Sequence, residues 1–79
     1  MKELLLYIAR NLVEHPEQVT VESFEGDPLV LELRVAPEDM GKVIGRQGKT
    51  AKALRTIVRS AAAKSGKKYN IEIKEKGEI

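Results

Sequence analysis

Residues 39–64 read DMGKVIGRQGKTAKALRTIVRSAAAK, a stretch with three glycines, seven Lys/Arg and no acidic residue after Asp39. Its centre is a four-residue turn, Gly45-Arg46-Gln47-Gly48, with a helix predicted on each side. Pro37 suits the first turn of the earlier helix, and Glu38 and Asp39 suit its positive end. That short helix is expected to run from Pro37 to Val43. The later one starts near Lys49 or Thr50 and runs to about Lys64, where SGKK, with Gly66 just past the helix, is a stop signal. Glycine at both ends of the turn lets another backbone approach closely.

The later helix has two faces. At helical spacing Thr50, Leu54, Ile57, Val58 and Ala61 gather on one arc, with Ala51 and Ala62 at its border. Lys52, Arg55 and Arg59 gather on the opposite side, with Lys49 at the edge. The apolar arc is expected to lie on a sheet and the basic ridge to face solvent. At the ridge's N-terminal end are unpaired backbone N–H groups, which together with Lys49 and the glycine turn suit a phosphodiester chain.

Outward from this stretch, the remaining elements follow from periodicity. Leu4, Leu5, Ile8, Ala9, Leu12 and Val13 recur every three or four residues, so residues 2–14 read as an amphipathic helix that His15-Pro16 ends. VTVESF places Val19, Val21 and Ser23 on one side of a strand. LVLELRV alternates cleanly, with Leu29, Leu31, Leu33 and Val35 inward, and the turn signal EGDP makes the two strands a hairpin. Tyr69, Ile71 and Ile73 mark a third strand. The predicted order is α-β-β-α-α-β, and three strands with one apolar face need helices as cover, which makes a two-layer α+β domain.

With 79 residues, the chain is expected to be one domain, since neither half could bury enough surface alone. Apolar residues at 42% and charged ones at 33% fit a globular protein. No apolar run approaches the roughly 20 residues that span a bilayer, and MKELLLYIARNL lacks the uninterrupted apolar core of a signal peptide, so membrane insertion is not expected and a cytoplasmic location is. The net charge of +2 hides a split: residues 1–40 hold three Lys/Arg against nine Asp/Glu, and residues 41–79 hold eleven against three. Folding can turn such a split into one acidic and one basic surface.

Competing chemistries fail at the same stretch. GKT at Gly48–Thr50 resembles the end of a P-loop, but that motif needs glycine where this chain has Val43, and a dinucleotide fingerprint fails at the same residue. Without cysteine, and with His15 the single histidine, no metal site of the usual zinc kind and no cofactor is expected. His15 sits at a helix end beside Pro16, where it reads as a solvated or capping residue. Glu38 and Asp39 are explained by their place at a helix start, so no catalytic residue is assigned. Tyr7, Phe24 and Tyr69 are the only aromatics and are expected to pack, so base stacking cannot be the main mode of binding.

On these residues the chain resembles the KH-domain family, in particular its small bacterial single-domain KhpA-like members. The centre of the resemblance is VIGRQGKTAKALRTI: Val43 and Ile44 lead into Gly45–Gly48, and Ala51, Leu54 and Ile57 belong to the helix after it. A bare Gly-x-x-Gly is weak, but its placement between an apolar pair and a two-faced helix is specific. The element order matches the type II arrangement, and the resemblance covers nearly the whole chain.

The resemblance implies a loop that clamps about four nucleotides of single-stranded nucleic acid. Gly45 and Gly48 would permit the approach, with Arg46, Gln47 and Lys49 on the backbone, and Lys42, Val43, Ile44, Lys52, Arg55 and Arg59 extending the site. Leu33, Val35 and Leu54, with Val43 and Ile44, are candidates for the hydrophobic side of the cleft or for the core behind it. Ala51 stands where many KH domains carry a larger aliphatic residue. The resemblance further implies RNA as the ligand, a chaperone-like or global regulatory role, and dimerisation with itself or with a larger Jag-family protein that carries its own KH domain. Low sequence specificity is physically reasonable, because phosphate contacts carry no base code.

Overall fold

The computed structural model describes residues 1–77. The first helix, α1, spans Lys2–Leu12, and β1 and β2 span Thr20–Phe24 and Leu29–Val35. A 3-10 turn at Pro37–Asp39 leads into α2, Met40–Ile44. The Arg46–Gly48 turn then joins α2 to α3, Lys49–Ala63, and β3 spans Tyr69–Glu75. This is the expected α-β-β-α-α-β order.

The sheet has strand order β1-β2-β3, with β2 antiparallel to β1 and parallel to β3. The hairpin gives the first pairing directly. A parallel second pairing requires the chain to cross over, and the crossover is α2, the glycine turn and α3. The turn is thus held at one end of a helix packed on the sheet. Leu31, Leu33, Val35, Val21 and Ile71 bury the inner face against Leu5, Ala9, Val43, Leu54 and Val58.

Helix α1 stops two residues earlier than its periodicity predicts. Val13 is extended, and the amides of Glu14 and His15, which would have continued the helix, donate instead to Asp39 Oδ1 at 3.1 Å and Oδ2 at 3.0 Å. Asp39 is buried, at 1% exposure. Its role is therefore not the local one expected at a helix start. It makes no side-chain cap to α2 and instead ties the end of α1 to the entry of α2.

The orientation of α3 also corrects the sequence reading. Its buried residues are Ala51, Leu54, Val58 and Ala62, while Ile57 is 44% exposed. The alanines expected at the border lie in the centre of the packed stripe. Small side chains there let the helix axis approach the sheet, and the helix turns so that they, rather than Ile57, meet it. Two aromatics also depart from expectation: Tyr7 and Phe24 are exposed, and only Tyr69 packs against the core. In β1, Ser23 is exposed although it pairs with the buried Leu31, whereas Val19 and Val21 are buried as expected.

Candidate nucleic-acid interface

The turn is built from unusual backbone conformations. Gly45 lies at φ 75° and ψ 175°, Gln47 at φ 55° and ψ 25°, and Gly48 at φ 74° and ψ 14°. Its ends are pinned: Gly45 N donates to Gly41 O at 2.9 Å, closing α2, and Gly48 N donates to Gly45 O at 3.2 Å. The two glycines serve different ends. A Cβ on Gly45 would overlap Thr50, whereas one on Gly48 would meet nothing within 4 Å. Gly45 is required by the protein's own packing, and Gly48 leaves open surface where a ligand backbone could come near.

Helix α3 starts at Gly48 without a side-chain cap, although the Lys49 N–H already donates to Arg46 O. From the turn, along α3 and past its end, run cations that nothing neutralises. Among the described residues, Arg46, Lys49, Lys52, Arg59, Lys67 and Lys68 have no carboxylate within ion-pair distance. Elsewhere the basic groups Arg34 and Lys74 are paired with Glu32 at 2.7 and 3.4 Å. The sequence's charge split therefore becomes a local excess of positive charge along one side of α3.

That side is a flank, not the face opposite the core. Arg55 Nε donates to Ile71 O on β3 at 3.4 Å, so the row Lys52, Arg55 and Arg59 runs beside the edge strand. The helix rotation that exposes Ile57 places the basic row there.

The remaining expected site residues separate clearly. Lys42 is ion-paired with Glu14 at 3.4 Å, so its charge is partly committed. Val43, Leu54, Leu33 and Val35 are all buried, which makes them the core behind the cleft. Ile44 is 38% exposed beside the turn and is the one of the five that can face a ligand. Lys67 and Lys68, past the end of α3, were missed by the helical pattern. The signal that could have found them was the run SGKK, read only as a stop.

No constellation for catalysis assembles nearby. His15 lies between Glu17 and Glu38, with its ring nitrogens 3.6 and 3.7 Å from their carboxylates, and no nucleophile accompanies it. Among the described residues no group of three or more His, Cys, Asp or Glu is placed to hold a metal ion. No helix among them is long and apolar enough to cross a membrane.

The glycine turn between α2 and α3, with β3 parallel to β2, agrees with a match to the KhpA/KhpB KH domain over residues 2–73. The chain belongs to the KhpA/KhpB family of KH domains. It is 55% identical over 74 residues to the RNA-binding protein KhpA of Clostridium perfringens, covering 92% of this chain and 99% of that one. The KhpA of Chlamydia muridarum is 45% identical over 76 residues, covering 95% and 97%. In fold, the chain is similar to part of Era from Aquifex aeolicus, with TM-score 0.67 and 20% identity over 95% of this chain. It spans 30% of that Era chain. A second Era structure, in complex with MgGDPNP and a segment of 16S ribosomal RNA, aligns with TM-score 0.65 and 20% identity, covering 94% of this chain and 29% of that one. Type II KH architecture is therefore established for this chain, and the KH domain is non-catalytic.

Proposed function

We propose that this KH domain binds single-stranded RNA by seating backbone phosphates on the Gly45–Gly48 turn and along the basic flank of α3. The observation that carries the reading is the row of unneutralised cations Arg46, Lys49, Lys52 and Arg59, which begins at a helix start without a side-chain cap. Phosphates would displace condensed counterions there, and the glycine turn admits the strand's backbone. Arg46, Gln47, Gly48 and Lys49 make the grip, Lys52, Arg55 and Arg59 extend it, and Ile44 supplies apolar contact. The relatives' name, RNA-binding protein KhpA, supports the choice of RNA. Because phosphate contacts dominate, base preference is low, which suits a chaperone-like or global post-transcriptional role in the cytoplasm.

Residues 1–79 act in this reading as one KH domain. It pairs with a second copy or with a larger Jag-family KH protein, since Ile57 lies exposed on the flank of α3 away from the basic row. Pairing two short sites on one strand raises apparent affinity. The same exposed residue favours the alternative, an adaptor whose principal partner is a protein.

Titration with short single-stranded RNAs at several salt concentrations, with duplex RNA and matching DNA as controls, tests the reading. Binding that weakens steeply with salt supports it. A main partner that remains bound after nuclease treatment favours the adaptor.

A further inference from the structure

The basic row of α3 ends at a cavity, with Arg59 in its wall. Where the last turn of the helix, the loop 64–68 and the start of β3 meet, there is a cavity of about 520 Å³ lined by Pro28, Arg59, Lys67, Lys68, Tyr69 and Asn70, among others. That volume lies in the range of small-ligand sites. Its chemistry is mixed in a particular way: a tyrosine and a proline supply apolar surface, and three cations without carboxylate partners share the lining.

We propose that this cavity holds one further nucleotide of the strand gripped by the glycine turn, with its base against Tyr69 and Pro28 and its phosphate among Arg59, Lys67 and Lys68. The proposal rests on the RNA-binding reading above. Three observations carry it. First, Arg59 belongs both to the basic row of α3 and to the cavity wall, so the two surfaces are continuous. Ten residues of helix separate it from Lys49, about 15 Å at 1.5 Å per residue, so the cavity lies at the far end of the basic row that begins at the turn. Second, the walls are held in place. Leu29 N donates to Lys68 O at 3.0 Å, and Ser65 N and Gly66 N close the helix end on Ala62 O and Ala63 O at 2.9 and 3.2 Å. Third, charge selects this cavity over its neighbour. The adjoining hollow of about 390 Å³ shares Lys67 and Lys68 but is walled by Glu25 and Asp27, whose carboxylates would repel a phosphate.

The consequence is a site longer than the four nucleotides that the turn alone would clamp. One stacked base on a single tyrosine adds to a grip that is otherwise electrostatic.

Fluorescence anisotropy with labelled oligouridylates of four and six nucleotides tests this on the full chain, using the parent, Lys67→Gln with Lys68→Gln, and Tyr69→Leu. The first variant removes two charges without adding any of opposite sign, and the second removes the ring while keeping an apolar residue on the core. The parent is expected to bind the six-mer about tenfold more tightly than the four-mer. Both variants should bind the four-mer within twofold of the parent and lose most of the gain on lengthening. Equal weakening of both oligomers in the lysine variant would reduce its effect to general charge attraction and overturn the proposal. So would a parent that binds both lengths equally, or variants that keep the gain. If the parent binds neither oligomer, the RNA-binding reading itself falls and this proposal falls with it.

Discussion

Thr50 occupies the space that a side chain on Gly45 would need: a Cβ there would lie 2.7 Å from Thr50 Cβ and 2.9 Å from Thr50 N. The glycine that opens the turn is thus locked against the helix that follows it, and Gly48 is free of any such neighbour.

The two glycines should respond differently to alanine. Gly45→Ala combines a clash with a backbone conformation that only glycine adopts easily, and should cost about 3 kcal/mol. Gly48→Ala meets only the left-handed backbone penalty, about 1 kcal/mol. Urea denaturation of both variants measures the difference, and equal losses would refute the role assigned to Thr50.

The rotation of α3 makes a similar contrast between neighbours in sequence. Leu54→Ala removes a packed side chain and should cost about 3 kcal/mol. Ile57→Ser changes a residue that is 44% exposed and should stay within about 0.5 kcal/mol for the monomer. Melts at low protein concentration, where association does not contribute, provide the comparison. A large loss at Ile57 would restore the arc expected from the sequence.

Asp39→Ala should destabilise the fold by about 3 kcal/mol, since it leaves the Glu14 and His15 amides without their buried acceptor. Hydrogen exchange gives the more specific readout. Exchange at those two amides should quicken more than at the core strands, and uniform quickening would mean a general loss of stability instead.

Recognition should be separable from folding at the turn. Arg46→Asp with Gln47→Asp changes the local charge by −3, and aspartate tolerates the left-handed backbone at Gln47. RNA affinity should fall by more than about tenfold while circular dichroism and sedimentation match the parent. Unchanged affinity in a folded double variant would remove the turn from the binding site. In the parent, about four phosphate contacts give a slope of log affinity on log salt near −2.8, at roughly −0.7 per contact for a single strand. A flat dependence would show that phosphates are not the main contact.

Glu32 sets an acid-side dependence of stability. Its hydrogen bond to Arg34 is the main cause that holds its carboxyl below the ordinary value of 4.5; partial desolvation opposes the shift, and Lys74 adds to it. A depressed folded-state pKa contributes stability that is present above the unfolded-state value and is lost as pH falls through the folded one. The stability difference between the parent and Glu32→Gln should therefore be constant near neutral pH and shrink below about pH 4.5. A difference that grows on acidification would contradict this sign.

Much of this protein was determined locally. The alternation of Leu29 to Val35 assigned a strand with the bounds observed, and the paired glycines between two helical segments located the turn. Each of these depends on backbone preferences and side-chain period within a few residues, which a sequence displays directly. The tertiary structure alone decided matters that depend on what lies opposite. The rotation of α3 was one, because the arc expected from the sequence, centred near Ala61, and the observed one, centred near Ala51, both contain Leu54 and Val58, and only contact with the sheet chooses between them. The length of α1 was another: its last amides are taken by Asp39, a residue 24 or 25 positions away. The cavity at the end of the basic row was a third, since Pro28, Arg59 and Lys68 meet only because β3 lies parallel to β2 and brings the end of the crossover beside the hairpin. Long-range pairing carries no local period, so these contacts had to wait for the fold.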